Sequence, residues 1–115
     1  MKNTFLVHNP RCRKSREALN YIKELNVDFE VVLYMKKGLE LNLLESIIIK
    51  IGIDPIDMVR TQEKTWKENY RSKLYNNDEI LEILNKHPNL IKRPVFINNN
   101  KGVIAIPCTE IDKIL

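Results

Sequence analysis

The stretch Thr4-Phe5-Leu6-Val7-His8-Asn9-Pro10-Arg11-Cys12-Arg13-Lys14-Ser15-Arg16 decides the fold. Its first four residues make a short, largely apolar run with β-favouring Thr4, Phe5 and Val7, which predicts a buried strand. Pro10 interrupts that strand, and from Ser15 to Leu25 the apolar residues Ala18, Leu19, Ile22 and Leu25 recur at helical spacing. Cys12 therefore falls at or just before the first turn of a helix. Free backbone N–H groups and the positive end of the helix dipole favour a thiolate there. Arg11, Arg13, Lys14 and Arg16 all lie within four residues of it. Settings of this kind bring a thiol pKa down to roughly 3.5–7.5. The expected purpose is thiolate chemistry on an anionic or thiol substrate. Cys108 contrasts with it: it follows the apolar run Val103-Ile104-Ala105-Ile106-Pro107 with no cation before Lys113, and reads as a packing residue.

A chain of 115 residues suffices for one domain with one core. No apolar run approaches the roughly 18–20 residues that a membrane span needs, since Glu45, Ser46 and Lys50 interrupt Leu43 to Ile53. Met1-Lys2-Asn3 leads directly into the first strand, which gives no signal-peptide pattern. Two distant cysteines then point to the reducing cytoplasm as the expected location. The net charge of +4 is moderate and concentrated only around Cys12, so direct nucleic-acid binding is not expected. Two histidines and two cysteines contain no close ligand pair, and no metal site is expected.

Beyond the first helix, Phe29 to Tyr34 predicts a second strand, parallel to the first through a right-handed crossover. Leu39 to Ile51 predicts a helix stopped by Gly52, and Asp54-Pro55 a short one running to Val59. Glu63 to Leu74 is weakly helical by pattern, and Asn77 or Asp78 is the expected cap of a helix from Glu79 to Lys86. Here His87-Pro88 is the expected stop. Val95-Phe96-Ile97 and Val103 to Ile106 predict a hairpin around the turn 98–102, followed by a final helix capped by Thr109. The order β-α-β, helical segment, β-β-α is an α/β class. It implies a four-stranded mixed sheet with an inserted helical subdomain between strands 2 and 3. As a single domain over 1–115, the core would be about 1–36 and 88–115 and the insertion about 37–87.

That order is similar to the thioredoxin fold of the glutaredoxin type. His8-Asn9-Pro10-Arg11-Cys12, Ser15-Arg16, Arg60, His87-Pro88, Ile91 through Pro94, and Pro107 with Glu110 together resemble the arsenate reductase-like family, comprising ArsC, the Spx regulators and the YffB-type proteins. The resemblance implies a cis peptide before Pro94, facing the thiol. It implies that Cys12 is the nucleophile, that His8, Ser15 and Arg16 stabilise the thiolate, and that Arg60 and Arg93 bind an oxyanion through guanidinium forks. Arsenate would be attacked by the thiolate, and glutathione as co-substrate with glutaredoxin would complete the reduction, with no tightly bound cofactor. Family members carry a third arginine just before the C-terminal proline, and here that place is Ile106. Loss of one charge-assisted contact costs on the order of 1.5–3 kcal/mol. A glutathione mixed disulfide is therefore the alternative substrate. An Spx-like redox regulator is the alternative function, docking on the C-terminal domain of the RNA polymerase α chain. Spx proteins typically use a CxxC switch, and Ser15 occupies its second position here.

Overall fold

The computed structural model describes all 115 residues, Met1–Leu115. Four strands, β1 (Thr4–His8), β2 (Glu30–Leu33), β3 (Val95–Asn98) and β4 (Lys101–Ile104), form one mixed sheet in the order β2-β1-β3-β4. β1 pairs parallel to β2, with Leu6 opposite Val31, and antiparallel to β3, with Leu6 opposite Phe96. Flanked on both sides, β1 buries every residue from Phe5 to His8, as an apolar run with no alternation requires.

The chain divides into two compact units. The first comprises Met1–Tyr34 and Arg93–Leu115, the second Met35–Lys92. In the first, helix α1 (Arg13–Glu24) turns Ser15, Ala18 and Ile22 inward at helical spacing. Ala18 and Ile22 join Leu6, Phe96, Ala105, Ile111 and Ile114 in one cluster. The last two belong to a 3-10 helix, Cys108–Ile114. That element begins one residue before the expected cap Thr109, and Pro107 takes the cap position instead. The carbonyl of Ile114 accepts a 2.7 Å bond from Asn98 Nδ2, which ties the end of the chain to β3. The β3–β4 turn is shorter than expected, because Asn98 already pairs with Lys101. Asn99 adopts φ +56°, a left-handed conformation that asparagine tolerates.

The second unit is helical. Helix α2 (Leu41–Ile51) buries Leu44, Ile47 and Ile48 and ends at Gly52, whose φ of +82° lets its N–H close on Ile48 and Ile49 carbonyls. A 3-10 turn over Pro55–Met58 and a short α3 (Lys64–Asn69) follow. Helix α4 (Asn77–Lys86) is capped by Asn76, not by Asn77 or Asp78. All three side chains are suited to capping, but only Asn76 stands three residues before Glu79. Their side chains and amides bond reciprocally at 2.8 and 2.9 Å. His87 ends the helix, and its Nε2 lies 2.7 Å from the Tyr70 hydroxyl. Burial lowers its pKa, helped by the charge of Lys86. No helix is long and apolar enough to cross a membrane.

Candidate active site

The loop between β1 and α1 is held by its own hydrogen bonds. Asn9, 6% exposed, does most of this: its Oδ1 accepts the Arg11 N–H at 3.1 Å and its carbonyl accepts the Cys12 N–H at 3.0 Å. Asn9 stands in the motif around the thiol with no role of its own expected there, although an asparagine before proline is a turn signal. Cys12 is then the N-cap of α1, in extended conformation (φ −91°, ψ 123°), and its carbonyl accepts the Arg16 N–H at 3.0 Å. At that position its sulfur faces the first free amides of the helix.

The uncharged thiol makes no full capping bond. The charged sulfur is nevertheless favoured. Burial alone pushes the Cys12 thiol up. The Ser15 N–H, a side-chain hydrogen bond from Arg93, the Lys14 N–H and the positive charge of Arg93 together outweigh burial and hold it below the ordinary thiol value. Arg93 is thus brought to the sulfur directly, from a position two residues before β3. The Arg93–Pro94 peptide is cis, as is Ile106–Pro107.

His8 and Ser15 form a polar pair within the same loop. The Ser15 hydroxyl lies 2.7 Å from His8 Nδ1 and accepts the Asn9 N–H at 3.0 Å. The hydroxyl is therefore committed to the loop, and it is the Ser15 amide that favours the thiolate. Burial lowers the His8 pKa first, and the charges of Lys23 and Arg16 add to this, so the imidazole is neutral at neutral pH. The Arg16 guanidinium donates to the Pro10 carbonyl at 3.0 Å, bracing the loop from outside. Replacing Ser15 by alanine is expected to leave two buried polar groups, His8 Nδ1 and the Asn9 N–H, without their partner. The cost is about 1–3 kcal/mol for each unsatisfied group. Denaturant unfolding should show that loss, while the thiol titration of the variant moves little because the amide remains. A large upward shift of the titration with unchanged stability would show instead that the hydroxyl serves the sulfur.

The first 23 residues hold six of the chain's Lys and Arg side chains against one acid, Glu17, so the rest of a chain of net charge +4 is close to neutral. Glu17 contacts both Arg13 (3.2 Å) and Lys14 (3.9 Å), and the collar around the thiol stays basic. Arg60 belongs to the other unit. There its side chain pairs with Glu63 and donates to the Asn89 carbonyl at 3.4 Å, while its amide bonds the Leu90 carbonyl at 2.7 Å. Cys108 is a free cysteine that packs against the core cluster, as a small hydrophobe does. The described residues contain no group of three or more His, Cys, Asp or Glu able to hold a metal ion.

Residues 7–114 match the model of the ArsC family. The chain is 33% identical over 115 residues to an arsenate reductase of Haemophilus influenzae, covering 98% of this chain and 99% of that protein. It is 31% identical over 116 residues to the uncharacterised protein YfgD of Escherichia coli, covering 99% and 98%. Among solved structures, the arsenate reductase from Vibrio cholerae matches with a TM-score of 0.89 at 25% identity, over 99% of this chain and all of that one.

Proposed function

The chain belongs to the ArsC family, and on that premise we propose that it is a thiol oxidoreductase that reduces arsenic(V) oxyanions, with Cys12 as nucleophile. The observation that carries the reading is the Cys12 sulfur held below the ordinary thiol pKa by two helix amides and Arg93. A thiolate is the reactive form of cysteine, and an adjacent guanidinium suits an incoming oxyanion. In the first step the sulfur displaces an oxygen of arsenate, which leaves as water after protonation, and a thiol–arsenate adduct forms. Glutathione, as co-substrate, attacks the Cys12 sulfur. The S–As electron pair passes to arsenic, giving arsenite and a mixed disulfide, and glutaredoxin returns Cys12 to the thiol. Arg93 serves both thiolate and oxyanion. Arg60 is proposed as a second anion ligand on the family likeness alone; its side chain pairs with Glu63. His8, Ser15 and Arg16 act as positioning residues for the loop.

The test is arsenate-dependent oxidation of glutathione in the presence of glutaredoxin, alongside the pH dependence of Cys12 alkylation. Alkylation should rise with a midpoint below the unperturbed value of about 8.5. Replacing Arg93 by alanine removes both its hydrogen bond and its charge, so the midpoint moves up. A charge-assisted bond of about 1.5–3 kcal/mol corresponds to roughly a 10- to 150-fold loss of kcat/KM. An unchanged midpoint in the Arg93 variant, or a wild-type midpoint at the ordinary value, would sink this reading.

A further inference from the structure

In the second unit, one face of helix α4 borders a cavity that the thiol chemistry does not use. Glu79, Glu82, Ile83 and Lys86 recur at helical spacing and so share that face. Together with Tyr70 and Tyr75 they line a cavity of about 230 Å³. The two tyrosine rings stand 6.0 Å apart with their planes inclined at 69°, as two walls of a corner. Trp66, only 6% exposed, braces both: it stacks on Tyr70 at 5.8 Å and meets Tyr75 at 6.1 Å. The Tyr70 hydroxyl lies 2.7 Å from His87 Nε2, which fixes that ring further. The Glu79 carboxylate is held by the Asn76 N–H at 2.9 Å. Glu82 is exposed, and the ion pairs of the chain include none of Glu79, Glu82 and Lys86.

This lining selects by charge and by shape. Two carboxylates against one ammonium leave a single net negative charge, the complement of a monovalent cation. Aromatic rings attract cations through the negative face of their quadrupole, most effectively when the cation sheds its water easily. A rounded, methylated ammonium reaches both walls of a corner, whereas a flat guanidinium stacks on one ring at a time. The volume lies below the roughly 300–1,000 Å³ of sites for drug-sized ligands, which suits a headgroup of a few carbon atoms. We propose that the cavity binds a small quaternary ammonium compound of the choline type. Its methyl groups lie against Tyr70, Tyr75 and Ile83, and Glu82 with Glu79 balances its charge. Lys86 restricts the ligand to one positive charge. Because Trp66 and His87 already hold the rings, little ordering is left to oppose binding. The inference is independent of the reading of Cys12.

Trp66 is the one tryptophan of the chain, so its fluorescence reports on both rings. Choline is the probe, and the control is its neutral isostere, in which a carbon atom replaces the nitrogen, at ionic strength matched with sodium chloride. Choline is expected to change the fluorescence saturably, with a Kd on the order of 1–10 mM for so small a ligand, and the isostere is not. Glu82→Gln should raise that Kd about fivefold, the scale of one exposed ion pair, and Lys86→Gln should lower it by a similar factor. Both side chains are exposed on α4, so neither variant disturbs the core. Shifts of the Tyr70 and Tyr75 ring protons in the same titration give a second readout. No saturable response, a response shared by the neutral isostere, or a Kd unchanged in both variants overturns the inference and leaves the aromatic cluster as packing alone. Capture of the protein by phosphatidylcholine vesicles without any response to free choline overturns it too, because the ligand would then be a lipid surface.

Discussion

Replacing Cys12 by serine is expected to abolish turnover, by a factor on the order of 10⁴ or more, as the loss of a catalytic nucleophile does elsewhere. The reason lies in the acid–base chemistry of the side chain. The environment of Cys12 lowers its pKa through the amides of Ser15 and Lys14 and through Arg93. That environment favours the ionised thiol. The same donors cannot ionise an alcohol, whose pKa is far higher, so the serine variant keeps the loop and the anion ligand while losing the attacking group. Cys108 is the other thiol of the chain and packs against the core. Its replacement by serine should leave turnover within a few-fold of the wild type. Activity of the Cys12→Ser variant within tenfold of the parent, in protein shown to be folded, would assign the chemistry to another group.

Phe96→Ala is expected to destabilise the protein by about 3–5 kcal/mol. Phe96 is fully buried on the inner strand β3, opposite Leu6 of β1 and Val103 of β4. It also packs in the cluster that holds Ala18 and Ile22 of α1. Truncation removes the ring and leaves a void that rigid strands on both sides cannot close. Set against the roughly 5–15 kcal/mol typical of a single domain, the change consumes a large part of the total. Denaturant titration followed by circular dichroism measures it, with the midpoint falling and the slope unchanged. A loss under about 1 kcal/mol would mean that the cluster relaxes into the space and that α1 is seated mainly by other contacts. Because α1 carries the amides that face Cys12, the seating of this helix also fixes the electrostatics of the thiol.

The strand, the proline and the helical spacing that follow it are enough to place Cys12 at a helix start, since each signal acts over a few residues. The same holds for the hairpin and for the stop at His87. Local signals also set the errors. The run Asn76-Asn77-Asp78 offers three capping side chains, and the reciprocal bond with Glu79 selects the first. The final helix, expected from Thr109, is a 3-10 helix from Cys108. Ser15 and Arg16 are legible as neighbours of the thiol, but not the direction of their side chains. The hydroxyl turns to His8 and the Asn9 amide, and the guanidinium to the Pro10 carbonyl.

By itself, then, the sequence determined where the thiol sits on the chain, the amides it meets and the basic collar around it, because these depend on neighbours in sequence and on backbone geometry. It takes the long-range packing of the fold to bring the Arg93 side chain to the sulfur. That contact depends on strand β3, which Arg93 precedes, lying against β1. Such pairings are fixed by the packing of Leu6, Phe96 and their cluster across long sequence separations, and no local pattern encodes them.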